Sequence, residues 1–317
     1  MSRIITGFKP TGSLQLGNYV GAIRPLVEKQ DGAIAFVADL HAMTVRHEPR
    51  LLRERTLEAA KLLLACGVDP DRCTLYLQSH VTAHTTLHYL LECVASDGEA
   101  RRMIQYKEKG GAGSRLSLLT YPVLMASDIL LYDIDEVPVG IDQRQHLELT
   151  RDLAVRFNAT YGETFVVPRA THPPYAARIA DLSDPRAKMG KTNASGAGVV
   201  FLLDGPDVVR RKIMRAVTDA ETEVRYDPDT KPGVSNLLEI LAACTGGDPK
   251  TEAERFTSYG ALKTAAADAV IALLGPIQER FRSTEPEEIL RAGAAKARAT
   301  ADATVARATE AVGLFTE

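Results

Sequence analysis

The stretch Arg3-Ile4-Ile5-Thr6-Gly7-Phe8-Lys9-Pro10-Thr11-Gly12-Ser13-Leu14-Gln15-Leu16-Gly17-Asn18-Tyr19-Val20-Gly21-Ala22 decides the fold. It begins with a short β-branched run, is punctuated by Pro10, Gly12 and Gly17, and then takes up apolar spacing that suits a helix. A strand entering a helix through such a turn brings backbone N–H groups and the positive end of a helix dipole to one place, where a phosphate can sit. Ligand-free turns of this composition are about as common as nucleotide sites, so the turn alone specifies local architecture only.

Three more strand-like runs follow: Ala33-Ile34-Ala35-Phe36-Val37-Ala38, Cys73-Thr74-Leu75-Tyr76-Leu77 and Glu136-Val137-Pro138-Val139-Gly140. Helical patterns separate them. In residues 51–66, Leu51, Leu52, Ala59, Leu62 and Leu63 recur at helical spacing, and Gly67 stands where helices commonly end. The alternation predicts an α/β fold, a Rossmann-like parallel sheet with crossover helices. After about Ala197 strand signals mostly vanish, and residues 206–217 and 236–243 read as helices. Thr284 and Glu287 stand at capping-box spacing before an Ala-rich segment. Two domains are expected: a catalytic one over 1–198 and a smaller, all-helical one over 199–317.

With 317 residues, 45% of them hydrophobic, the chain can bury a sizeable core. Its net charge of −3 excludes a globally basic field, so any nucleic-acid contact must come from local clusters. Cys66, Cys73, Cys93 and Cys244 show neither CxxC pairing nor metal-type spacing. No charged leader precedes the first strand, and no apolar stretch approaches membrane-spanning length. These features lead us to expect a cytoplasmic protein that contacts no membrane and holds no metal through its side chains.

The residues that carry chemistry fall in four further places. In Asp184-Pro185-Arg186-Ala187-Lys188-Met189-Gly190-Lys191-Thr192, two lysines beside a glycine can clamp a departing pyrophosphate or form a solvated basic loop. In Leu119-Thr120-Tyr121-Pro122-Val123-Leu124-Met125-Ala126-Ser127-Asp128-Ile129-Leu130, a carboxylate lies inside an apolar helix, which calls for a task or a partner. An ionised carboxylate only accepts, so one that faces a ligand selects for a group that donates. Asp39-Leu40-His41-Ala42-Met43-Thr44 closes the second strand, where a lone histidine is more often structural than catalytic. Arg210, Arg211, Lys212 and Arg215 crowd one helix above a stripe of Val209, Ile213, Ala216 and Val217, and a solvated face and an RNA contact weigh equally there. His80, His84 and His146 show no metal-ligand spacing and read as structural.

Taken in order, these segments resemble the class I tryptophanyl-tRNA synthetases. Gln15-Leu16-Gly17-Asn18 stands for the signature called HIGH, Lys188-Met189-Gly190-Lys191-Thr192 for KMSKS, Gly140-Ile141-Asp142-Gln143 for a G-x-D-Q turn, and 39–44 for D-x-H-A-x-T. The likeness runs from Arg3 to Ile277-Gln278-Glu279-Arg280, through Ala216-Val217-Thr218-Asp219 and Lys231-Pro232-Gly233.

The resemblance implies that MgATP is bound by Lys9, Thr11, Gly12, Gln15, Gly17, Asn18, Gly140, Asp142, Lys188, Met189, Gly190, Lys191 and Thr192. Tryptophan is implied at Ile5, Gly7, Lys9, His41, Tyr121, Met125, Asp128, Ile129, Val137, Val139 and Gln143, with Asp128 recognising the indole N–H. Lys188, Lys191 and Gln143 would assist the chemistry, and Arg210, Arg211 and Arg215 would touch tRNA. A homodimer is implied as well, with the last helix packing back on the catalytic domain.

Departures from the family pattern are Gln15 for His or Thr, Ile141 for Glu, Gly190 and Thr192 for the two serines, and Lys9 for Gln. Lys9 would favour the anionic substrate over neutral indole mimics, and the chain contains no tryptophan. Both suit an auxiliary, inhibitor-tolerant enzyme. The alternatives are a tyrosine-specific relative, a nucleotidyltransferase acting on small metabolites, and a non-catalytic paralogue that binds tRNA or a partner protein.

Overall fold

A computed structural model describes residues 4–111, 113–138, 143–171, 179–190 and 196–315. Strand β1 (Ile5–Phe8) leads through the glycine-rich turn into α1 (Leu16–Asn18), a π-helical turn (Tyr19–Ile23) and α2 (Arg24–Glu28). Pro25 explains the widened turn: it has no N–H to give, and in a regular helix its ring would meet the carbonyl of Gly21. Then come β2 (Ile34–Val37), α3 (Asp39–Ala42), α4 (Pro49–Ala65), β3 (Thr74–Leu77) and a 3-10 turn (Gln78–His80). Helices α5 (Ala83–Glu92), α6 (Asp97–Arg102), α7 (Ile104–Lys109) and α8 (Leu116–Leu130) follow, then β4 (Glu136–Pro138), α9 (Arg144–Tyr161) and β5 (Arg169–Thr171). The remainder is helical: α10 (Pro206–Met214), α11 (Pro232–Thr245), α12 (Pro249–Ala253), α13 (Tyr259–Ser283) and α14 (Glu287–Ala311).

Strands β1, β2 and β3 pair in that order, all parallel, with Ile5 opposite Ile34 and Ile34 opposite Thr74. A separate parallel pair joins β4 to β5. Side chains alternate across the main sheet as strand geometry requires. Ala35, Val37, Leu75 and Leu77 face a core shared with α4, α10, α11 and α13, whereas Ile5, Ile34, Phe36 and Tyr76 face a second core with α5, α8, α9 and α14. The first core is continuous from Leu14 to Ile277, so the helical half shares its packing with the sheet.

Helix α14 covers β3, one of the two edge strands of this sheet. Its Gly293 makes this possible, because a Cβ there would lie 1.9 Å from the carbonyl oxygen of Leu75. Arg298 donates to the carbonyl of His80, and Arg307 pairs with Asp133 at 2.9 Å.

Helix α4 ends before Gly67, at φ 109°. Three expectations change. Thr284 does not cap α14; its hydroxyl donates to the carbonyl of Arg280 and closes α13 instead. Val217 is 48% exposed and lies outside the buried stripe of α10. Helix α13, with 25 residues and an 18-residue window of mean hydropathy 1.4, is long and apolar enough to cross a membrane, contrary to the reading that no stretch is. Here it packs on α4, α10 and α11 through Leu262, Ala266, Val270, Leu274 and Ile277, as a core helix does.

Candidate active site

The two signature segments meet at Gln15. Its side chain is buried: Oε1 accepts from the N–H of Gly17, and Nε2 donates to the carbonyl of Met189 at 2.7 Å. These bonds use the amide oxygen and one of its two amide hydrogens, so the side chain ties the two segments together. Asn18 completes a capping box by accepting from the N–H of Gln15 at 3.2 Å. The backbone adds a short ladder, with Leu16 N–H on Val200 O at 2.8 Å and Leu202 N–H on Leu14 O at 3.0 Å. Met189 is buried, its N–H bonded to Ile179 O, while Lys188 is exposed.

A cavity of about 250 Å³ opens between these segments, lined by Thr11, Gly12, Ser13, Arg55, Gly190, Gly196, Val199 and Phe201. A neighbouring cavity of about 270 Å³ lies on the other side of Thr11, with Arg46, His47 and Arg55 on its wall. Arg55, half-buried on α4, lines both and has no hydrogen-bond or ion-pair partner among the described residues. Gly17 stands at the start of α1. Gly140, Asp142, Lys191, Thr192 and Val139 lie outside the described residues, and Gln143 begins α9.

The second cluster forms around Asp128, whose carboxylate is buried in the last turn of α8. His41 Nε2 contacts Oδ2 at 2.7 Å, while His84 Nδ1 and Gln78 Nε2 contact Oδ1, each at 2.7 Å. Burial pushes this carboxyl up, but the charge and hydrogen bond of His41 and the bond from His84 outweigh it and hold the group well below the usual carboxylate range. Asp128 is therefore ionised, and both facing ring nitrogens donate.

The flanking loops are placed by Asp39, whose Oδ1 accepts from the N–H groups of Leu40 and Ser79 at 3.0 and 2.9 Å. That carboxylate sets His41 and Gln78 side by side. Beyond His84, Nε2 lies 3.0 Å from the Tyr76 hydroxyl and 3.1 Å from that of Tyr132, which are 2.6 Å apart. Burial raises both phenols, so they keep their protons. The Oε1 atom of Gln78 is buried without a partner among the described residues.

Tyr121, Met125 and Asp128 share one face of α8 at helical spacing, and Ile129 follows. The Tyr121 hydroxyl bonds His146 Nε2 at 2.6 Å and its ring meets that of His41 edge-on. Ile5, Ile129 and Val137 are buried in one core cluster with Phe36, and Met125 packs against it. Gly7 lies on β1 against the Phe36 ring. Lys9 is exposed, its ammonium donating to Thr44 Oγ1 at 2.9 Å, and Thr44 in turn donates to the carbonyl of His41.

The basic helix α10 is less available than its sequence suggests. Arg210 pairs with Asp268 at 2.6 Å, and Lys212 with Asp204 at 2.7 Å, which leaves Arg211 and, at the helix C-cap, Arg215 as exposed cations with no ion pair among the described residues. Two other matched segments come together where Lys231 meets Asp219 at 3.0 Å.

Sequence reasoning missed His84 and Gln78 as partners of Asp128, Tyr76 and Tyr132 behind His84, and Arg55 beside the first turn. The available signal was the segment Gln78-Ser79-His80-Val81-Thr82-Ala83-His84, which puts polar groups directly after a buried strand. For Arg55 there was none, since only packing brings α4 beside Thr11.

A family model described as class I tRNA synthetases (W and Y) matches residues 1–275. A Streptomyces avermitilis protein named tryptophan–tRNA ligase 1 is 57% identical over 99% of this chain and 99% of its own. The crystal structure of tryptophanyl-tRNA synthetase from Mycoplasma pneumoniae superposes with a TM-score of 0.92 at 38% identity, covering 99% of this chain and 98% of that one. The Campylobacter jejuni enzyme, solved with ADP and tryptophan, gives 0.84 at 33% identity over 98% of this chain and 100% of that one.

Proposed function

The chain belongs to the class I tRNA synthetases for tryptophan and tyrosine, on the tryptophan–tRNA ligase side of that family, and from that premise we propose how its residues divide the work. The enzyme joins tryptophan to ATP, giving tryptophanyl-adenylate and pyrophosphate, and then charges tRNA. A carboxylate oxygen of tryptophan attacks the α-phosphorus as the bond to pyrophosphate breaks. A ribose hydroxyl of tRNA then attacks the activated carbonyl, and AMP leaves.

Asp128 takes the indole N–H. A carboxylate offers about four acceptor positions, and Gln78, His84 and His41 fill three of them, leaving one on Oδ2. This is the observation that carries the assignment. Tyr121, Met125, Ile129, Val137 and Ile5 form the apolar surround, and Lys9 stands at the rim for the substrate's carboxylate or the adenylate phosphate. MgATP enters as substrate over Thr11, Gly12, Gly17, Asn18 and Gly190, with Mg²⁺ carried by its phosphates. Lys188 and Lys191 stabilise the pyrophosphate as charge builds on it, and Gly140, Asp142 and Gln143 complete the nucleotide and amino-acid contacts.

We read 1–198 as the catalytic domain and 199–317 as the helical tRNA-binding domain, with Arg211 and Arg215 the better placed of its basic residues. A homodimer suits the exposed Tyr89, Ile104 and Leu116, on helices α5, α7 and α8. Four free cysteines, two of them buried, suit the cytoplasm. The deciding experiment is ATP–pyrophosphate exchange driven by tryptophan, tyrosine or phenylalanine, followed by charging of tRNA. Exchange with tyrosine and none with tryptophan would overturn the assignment.

A further inference from the structure

The substrate reading gives Asp128 one task, but the site holds far more polar machinery than one hydrogen bond needs. His84 is fully buried, as are Tyr76 and Tyr132 behind it, and all three come from different elements: α5, β3 and the turn after α8. Three buried polar side chains converging on a carboxylate are expensive unless each is satisfied. Their proton count has a single neutral solution. The two hydroxyls lie 2.6 Å apart and both lie within 3.1 Å of His84 Nε2. One hydroxyl donates to the other, and the second donates to Nε2, which must then be an acceptor. The imidazole hydrogen is left on Nδ1, where it points at Asp128 Oδ1. The opposite tautomer would strand one hydroxyl hydrogen without an acceptor and leave Asp128 facing a lone pair.

We propose that His84, held in this tautomer by Tyr76 and Tyr132, is a positioning residue for amino-acid selection: it pins Oδ1 so that the open acceptor of Oδ2 is fixed in one direction. With Gln78 the ring saturates Oδ1, so the carboxylate cannot rotate to offer that oxygen instead. His41 takes one side of Oδ2, and what remains is a single directed acceptor rather than a freely turning carboxylate. A substrate ring with one N–H in the right place gains the whole bond, and a ring without a donor gains nothing. The inference rests on the reading that Asp128 receives the indole N–H.

The test compares His84→Leu, His84→Asn and Asp128→Asn in tryptophan-dependent ATP–pyrophosphate exchange. An asparagine amide can place its nitrogen close to where Nδ1 stands, so it restores the donor to Asp128 without the rest of the ring. We expect His84→Leu to raise KM for tryptophan on the order of ten-fold or more, to leave KM for ATP unchanged, and to narrow discrimination against phenylalanine. His84→Asn should recover most of that loss. A role in packing alone would lower the melting temperature of both variants without touching KM for tryptophan, and that outcome overturns the proposal. So does an asparagine variant that folds yet selects as poorly as the leucine one. If Asp128→Asn is itself unimpaired, the underlying substrate reading fails; if Asp128→Asn is impaired and His84→Leu is not, only the positioning role fails.

Discussion

Replacing Asp128 with asparagine changes charge and donor pattern with almost no change of shape. The wild-type carboxylate accepts from Gln78 and His84 on Oδ1 and from His41 on Oδ2. In the variant the amide oxygen settles on the Oδ1 side, because His84 cannot exchange tautomers without stranding a tyrosine hydroxyl. The amide nitrogen then faces His41 and the incoming indole. His41 can answer by presenting an acceptor nitrogen, but the indole N–H meets another donor. A charge-assisted bond is lost and a buried N–H goes unpaired, together about 1.5–3 kcal/mol. At about 1.4 kcal/mol per decade, the upper end lowers kcat/KM for tryptophan on the order of 10²-fold. Steady-state exchange with tryptophan and phenylalanine measures both the loss and the collapse in their ratio. An unchanged ratio in a folded variant would refute the placement of the indole at Asp128.

Lys191→Ala should lower kcat of pyrophosphate exchange on the order of 10²-fold with little change in tryptophan binding, since its charge matters where pyrophosphate departs; normal rates at saturating ATP would remove it from the mechanism. Gln15→Ala frees the carbonyl of Met189 and should raise KM for ATP by about five-fold, the scale of one hydrogen bond, while an unaffected KM would show that the tie does not hold the ATP loop. Lys9→Gln should reduce the ratio of Ki for a neutral indole inhibitor to KM for tryptophan, and equal ratios would return Lys9 to solvent. Glu99 is held at about 2 by its hydrogen bond from Arg156, below an unfolded value of about 4.3. Its stabilisation is therefore full above that unfolded value and is lost as pH falls towards the folded one. Glu99→Gln, which keeps the cap on α6, should destabilise at pH 7 by about 1–2 kcal/mol and match wild type near pH 2; urea unfolding at both pH values checks this, and a gap that persists in acid would refute it.

The sheet was legible because its strands are short β-branched runs and their order leaves a parallel arrangement as the simple solution. The 49–65 helix was equally plain, since its small and branched apolar residues recur at one spacing. Asp128 stood out for a physical reason as well: a charge in an apolar helix announces a partner. What remained hidden were the partners. His84 sits 44 residues from Asp128 and Tyr132 sits 48 residues from His84, so no local pattern records that they meet. The tie made by Gln15 was hidden for a related reason, because its partner at Met189 lies 174 residues away. The capping box at Thr284 failed where two helices competed for one hydroxyl, and the helix that came first took it.

Gly293 bears on how the enzyme is made. By letting α14 rest on the backbone of β3, it joins parts of the chain 218 residues apart, as the bond from Arg298 to His80 records. Strand β3 also carries Tyr76, the buried hydroxyl behind His84. During vectorial synthesis the first three strands leave the ribosome long before α14 exists, and their outer edge waits uncovered, a state open to mispairing with other chains. The strand behind His84 is thus covered only when the last helix arrives, so a chain that stops before α14 presents the edge of an unfinished sheet to chaperones and proteases.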